Sequence, residues 1–109
     1  MAIDQKDQKI EEIIRELAAE FFARESDRTS MITVTEVHLM SRGGKALIKI
    51  SVFPESEEQK ALEFANRQMH DFKEFVIQKS RLGRIPFFEV VLDIGEKNRQ
   101  NIDDISKRL

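Results

Sequence analysis

The stretch Met31–Phe53 reads MITVTEVHLMSRGGKALIKISVF, and its apolar pattern decides the fold class. Its second half alternates cleanly. Ala46, Ile48, Ile50 and Val52 share one face, while Lys45, Leu47, Lys49 and Ser51 take the other. Successive side chains of a strand point to opposite faces, so this is a strand with one buried face. The first half is rich in β-branched residues but changes phase: Ile32 and Val34 have one parity, Val37 and Leu39 the other. A β-bulge near Glu36 returns both pairs to a common face. Between the halves, Ser41-Arg42-Gly43-Gly44 reads as a tight turn in which paired glycines supply positive φ without steric cost. The stretch is therefore an antiparallel hairpin.

Upstream of it, Ile10, Ile13, Ile14, Leu17, Ala18, Phe21 and Phe22 recur at the spacing of a helix with one buried face. Glu11, Glu12, Arg15, Glu16, Glu20 and Arg24 fill the opposite side. Downstream, Pro54 closes the second strand, and Ser56 with Gln59 has the spacing of a capping box. The helix so begun buries Leu62, Ala65, Met69, Phe72 and Val76, with Phe64, Phe75 and Ile77 widening the seam as far as about Leu82. Asn66 to Asp71 is polar except for Met69, and a bend is expected there. Gly83 is expected to end the helix, and Pro86 to open a third strand, FFEVVLD. Residues 95–109 read as a polar tail, with a short helix from Asn101 onward. The predicted order is α-β-β-α(kinked)-β, an α+β fold with helices on one face of a three-stranded sheet.

A chain of 109 residues fits a single domain spanning 1–109. It has no cysteine, which excludes disulfides, thiol catalysis and thiolate zinc sites. No apolar run is long enough to span a membrane, and the opening MAIDQKDQK has no apolar stretch of a secretory signal. The expected setting is the cytoplasm. Net charge is −2, but it is unevenly spread: residues 1–41 hold five Lys/Arg against nine Asp/Glu, residues 42–84 nine against six. Phosphate binding responds to a local basic stripe rather than to the total.

Catalytic patterns are missing from the sequence. His38 and His70 lie far apart with no nucleophile elbow, and the paired acids sit beside helices, where carboxylates act as solvated charges or caps. No spacing resembles a metal-ligand set, and Gly43-Gly44 is not a phosphate loop. Neither an enzyme nor a bound cofactor is expected. Cations are a stronger signal. QKSRLGR, residues 78–84, carries Lys79, Arg81 and Arg84 with no acid, Arg67 and Lys73 lie on the polar side of the same helix, and Arg42 and Lys45 flank the hairpin turn. Two readings compete for them: solvated charges that suit a helix C-terminus, and an anion site. Asn66 and His70, near the expected bend, are candidates for sugar or base edges. The chain has no tyrosine or tryptophan, and most of its eight phenylalanines read as core, so phosphate and shape contacts are expected rather than base stacking.

The element order resembles a type II KH domain, and particular segments narrow the likeness. ITVTEVHL with KALIKISVF resembles the paired strands of the ribosome-binding factor A family, including its Val-Thr-Glu-Val core. RLGRIPFFEVVLD resembles that family's arginine-rich helix end, its proline and its last strand, ending here in Asp93; NIDDISKRL resembles its closing acidic segment. The resemblance implies a non-catalytic factor that binds the precursor of the small (30S) ribosomal subunit and its 16S rRNA, assists maturation of that rRNA, and supports growth in the cold. A monomer is expected. The family replaces the glycine-rich KH loop with an Ala-x-Gly kink. Here that kink aligns with Gln68-Met69-His70, or one residue later, without alanine or glycine. Either the bend forms without glycine's freedom or the helix runs straight. Two further readings are a KH-like module for another RNA and a protein-interaction domain using its acidic first helix.

Overall fold

In the computed structural model, residues 5–25 and 30–95 are described. They form helix α1 (Gln5–Glu25), strands β1 (Met31–Met40) and β2 (Lys45–Phe53), helices α2 (Glu58–Arg67) and α3 (Met69–Lys79), and strand β3 (Phe87–Leu92). This is the expected α+β order; the short helix anticipated from Asn101 lies outside the described residues.

β1 and β2 pair antiparallel, and their register shifts between Val34 and Glu36, so the bulge falls at Thr35. Val34 consequently faces Ile50 while Val37 faces Ile48, and both apolar pairs of β1 meet the apolar side of β2. The Thr35 hydroxyl donates to the Asp93 carboxylate at 2.6 Å and lies 3.2 Å from the Lys49 carbonyl, tying the bulge to the end of β3. β3 lies parallel to β2 on its other side, with Val90 opposite Ile48 and Phe88 opposite Ala46. Parallel neighbours need a long crossover, which residues 54–86 supply as α2 and α3. Val37, Ile48 and Val90 thus form one buried row across three strands.

Against this row pack Ile14, Ala18, Phe21 and Phe22 of α1, Ala65 of α2, and Phe72 and Val76 of α3. Phe72 has no solvent exposure; its ring centre lies 5.3 Å from that of Phe21 and 4.8 Å from that of Phe88. Burying such a ring contributes about 1.5–3 kcal/mol. Ile77, expected to widen the seam, is instead 48% exposed, and Ala61 is buried one position before the expected start.

The bend forms without glycine. Gln68 adopts φ −85° and ψ 0°, values open to any L-residue, and separates α2 from α3. Its amide is shared between the carbonyls of Phe64 (3.1 Å) and Ala65 (3.2 Å), and its own carbonyl accepts from Phe72 N at 2.8 Å, so backbone bonding runs through the break. α3 ends at Lys79 rather than at Leu82. Ser80 is extended, and its amide and hydroxyl both donate to the Val76 carbonyl, so Ser80 and not Gly83 terminates the helix. Nor does the Ser56–Gln59 capping box form. Residues Glu55–Glu57 make a 3-10 turn closed by Glu57 N on Pro54 O at 3.0 Å, and Gln59 donates to Glu63 at 3.1 Å instead.

Each edge of the sheet meets a helix side chain. On β1, Leu39 N donates to the Glu11 carboxylate of α1 at 2.7 Å. On β3, Val90 N donates to Asn66 Oδ1 at 3.0 Å, while Asn66 Nδ2 donates to Val90 O at 3.1 Å. That amide imitates the peptide of a neighbouring strand. Among the described residues no helix is long and apolar enough to cross a membrane. Asn66→Ala leaves both Val90 groups without a protein partner and is expected to lower stability by about 1–3 kcal/mol in urea unfolding. Asn66→Asp keeps the acceptor for Val90 N but sets a carboxylate oxygen against the Val90 and Leu62 carbonyls, and should cost at least as much at neutral pH.

Candidate nucleic-acid interface

The hairpin turn and the segment after α3 meet at one end of the sheet. Ser41, Arg42 and Gly43 stand at φ 52°, 55° and 84°, three consecutive left-handed residues, and Gly44 N closes the turn on Ser41 O at 3.0 Å. Only one of the paired glycines therefore has positive φ; Gly44 is right-handed at φ −80°. A left-handed conformation costs an L-residue with a side chain roughly 1–2 kcal/mol, so Ser41 and Arg42 hold strain at the tip. Gly44 answers to space instead. A Cβ there would lie 3.1 Å from Arg84 Nη2 and 3.2 Å from Ser41 O. The missing side chain lets the Arg84 guanidinium lie against the turn, where Nη1 donates a long 3.4 Å bond to the Arg42 carbonyl.

Two grooves flank the segment carrying Arg84. The first, about 540 Å³, is lined by Ile10, Ile13, Leu39 and Leu82 and by Lys6, Lys9, Arg42, Arg81 and Arg84, with Asp7 as its one acid. The second, about 510 Å³, is lined by Met69, His70, Lys73, Arg84, Ile85 and Phe87 among others, and by no acid. The fold thus gathers five of the sequence candidates: Arg42, Arg81 and Arg84 on one side, His70 and Lys73 across Arg84 on the other. Lys6 and Lys9 join them. Sequence reasoning passed over that pair because α1 reads as an acidic helix; their spacing of three, beside Ile10, was the available signal.

The other four candidates are placed elsewhere. Lys45 pairs with Glu89 at 2.7 Å. The Lys79 ammonium lies 5.9 Å from the centre of the Phe75 ring, which Arg24 also approaches at 5.7 Å. Arg67 is exposed at the end of α2, outside both grooves. Asn66, expected at sugar or base edges, has its amide committed to Val90 because β3 needs a partner for its outer edge.

No protein-family model matches the sequence, and a comparison with curated proteins gives no match either. Solved structures do match. The crystal structure of ribosome-binding factor A from Thermus thermophilus superposes with a TM-score of 0.71 at 22% identity, covering 79% of this chain and 93% of that one. The solution structure of a Thermotoga maritima protein described as a putative ribosome-binding factor A gives 0.68 at 21% identity, covering 84% and 90%. The fold is that of ribosome-binding factor A. A third match is a homology model of the Thermus thermophilus factor fitted into a cryo-electron-microscopy map of a 30S complex, at TM-score 0.64, 22% identity and coverage of 72% and 86%.

In this version of the ribosome-binding factor A fold, the sheet face away from the helices is charged but internally balanced. Glu36 accepts from His38 Nε2 at 2.9 Å and lies 3.7 Å from the Lys49 ammonium. The His38 hydrogen bond, foremost, holds the Glu36 carboxyl below its ordinary 4.5, helped by the charges of His38 and Lys49 and opposed by slight burial and by Asp93. A carboxyl whose folded value lies below its unfolded one stabilises the fold above the unfolded value, and the contribution disappears as pH falls through the folded one. An NMR pH titration should accordingly place Glu36 below 4.5 and move it upward in His38→Ala. At the grooves, Gly44→Ala is expected to displace Arg84 and to lower the unfolding free energy by about 1 kcal/mol, the lower end for overpacking a tight site. Calorimetry would read the loss.

Proposed function

We propose that this chain is a member of the ribosome-binding factor A family that binds the precursor of the small (30S) ribosomal subunit and assists 16S rRNA maturation without catalysing a reaction. The observation that carries the proposal is the fold likeness to ribosome-binding factors A over most of the chain. The basic end of the sheet supports it. Arg42, Arg81 and Arg84 converge there from two separate segments, and among the described residues no ion pair holds them. Like charges gathered with Asp7 as the one acid beside them repel one another, and an anion between them relieves the repulsion. RNA phosphates are anions of this kind, and contacts to them carry no direct sequence information.

On this reading the protein is a cytoplasmic monomer built on a KH-type scaffold in which the Gln68 break stands where a KH domain has its glycine-rich loop. Arg42, Arg81, Arg84, Lys73 and His70 are the RNA-facing set, extended by Lys9 and Lys6, while Arg67 and Lys79 lie further out. The reading that uses the acidic first helix to meet a partner has less to work with, because Glu11 is bonded to the Leu39 amide.

Gradient sedimentation of cell extract tests the proposal. The wild-type protein should travel with free small subunits and be released by salt, each phosphate contact adding about 0.7–0.9 to the slope of log affinity against log salt. The double change Arg81→Glu with Arg84→Glu should abolish co-sedimentation, and loss of the gene should raise precursor 16S rRNA. A charge-reversed protein that still travels with the subunit, or precursor rRNA at its normal level, sinks the proposal.

A further inference from the structure

Phe87 is the first residue of β3 and is 69% exposed, whereas its neighbour Phe88 is 5% exposed and packs on Phe72. The alternation of the strand puts one ring in the core and leaves the other outside. That outer ring does not stand in an arbitrary place. Phe87 lines the second groove together with His70, Lys73 and Arg84, and no carboxylate lines it. Its backbone is fixed, since Phe87 N donates to Gly44 O at 2.9 Å. At about 510 Å³ the groove falls within the size range of small-ligand sites.

An exposed aromatic surface beside cations has a specific chemical complement. Unpaired bases of single-stranded RNA stack on aromatic side chains, while the adjoining phosphates seek guanidinium and ammonium groups. An acidic peptide would use the cations and leave the ring unused; an apolar partner would use the ring and strand the cations in a dry interface, which is costly. A nucleotide uses both. We infer that Phe87 is a stacking platform for one unpaired base, whose flanking phosphates lie on Arg84 and Lys73, with His70 at the rim.

The inference rests on the RNA-binding reading above and adds to it a base contact that the amino-acid composition argues against. It also gives Arg84 a double position, because Arg84 lines both grooves and can carry a strand from one to the other.

The protein contains no tryptophan or tyrosine, so Phe87→Trp installs a sole indole at the proposed contact. Three probes would be titrated against the full chain at fixed salt: a short oligoadenylate, an abasic ribose-phosphate oligomer of the same length, and a polyglutamate peptide. Stacking predicts strong indole quenching by oligoadenylate and little by the abasic oligomer. Phe87→Leu should weaken oligoadenylate binding roughly tenfold, within the range for loss of one base–aromatic stack, yet leave abasic binding and the thermal midpoint unchanged. Equal quenching by the two oligomers overturns the inference, as does undiminished oligoadenylate binding by Phe87→Leu. Tighter binding of polyglutamate at the indole overturns it in favour of a peptide site. Co-sedimentation of the wild-type protein with small subunits, run in parallel, keeps the two readings apart: if it holds while the indole ignores bases, only the stacking contact fails.

Discussion

A layer of apolar side chains one ring thick separates the helices from the sheet, and Phe72 lies at its centre. The ring touches Phe21 of α1 on one side and Phe88 of β3 on the other, so a single residue of α3 sets the distance among three elements. Nothing smaller would hold α3 at that spacing, because packed interiors close around missing atoms only in part. The segment that follows α3 inherits this placement. It must run from Ser80, above the core, to Phe87 at the start of β3, and on the way it passes the hairpin turn. The convergence of Arg81, Arg84 and Arg42 is therefore a geometric result of where Phe72 packs.

The charges are distributed by a simple division. On the open face of the sheet, Lys45, Lys49 and His38 each have a carboxylate within reach, on Glu89 or Glu36. At the end of the sheet, the Arg84 guanidinium has the Arg42 carbonyl and the surface of Gly44 for neighbours instead. Exposed ion pairs contribute little to stability, so the pairing on the face is better understood as neutralisation of that surface. What remains is a compact rim in which cations outnumber acids, on a chain of net charge −2. Such an arrangement draws anions to the rim rather than to the rest of the molecule.

Much of the fold could be read from the residues. The phase change between Val34 and Val37 announced the bulge, and the alternation of Ala46, Ile48 and Ile50 announced the central strand. Element ends were less legible. Ser56 and Gln59 have capping-box spacing, but the backbone of a 3-10 turn satisfies the helix start without them. Gly83 looked like a terminator, yet Ser80 closes the helix with its own hydroxyl. The basic set was half legible for a similar reason. Periodicity shows which side of a helix a residue occupies, but not which distant segment lies beside it. Lys6 and Lys9 were hidden by sequence distance from Arg81, and Asn66 by its engagement with a strand 24 residues away. Phe87 was not singled out: most of the phenylalanines read as core, and alternation leaves one of Phe87 and Phe88 outside it.

The side chains that finish the two sheet edges set a limit on how this protein can recognise anything. A bare edge recruits extended peptides, or further copies of the same chain, by offering unpaired amides and carbonyls in a row. Asn66 of α2 occupies the middle of such a row on β3, and Glu11 of α1 caps the Leu39 end of the row on β1. Strand addition would first have to dislodge them. Backbone-to-backbone zippering, the least selective form of protein association, is thereby hindered at both margins. Contacts that salt and competition can dissolve are then favoured over a shared sheet.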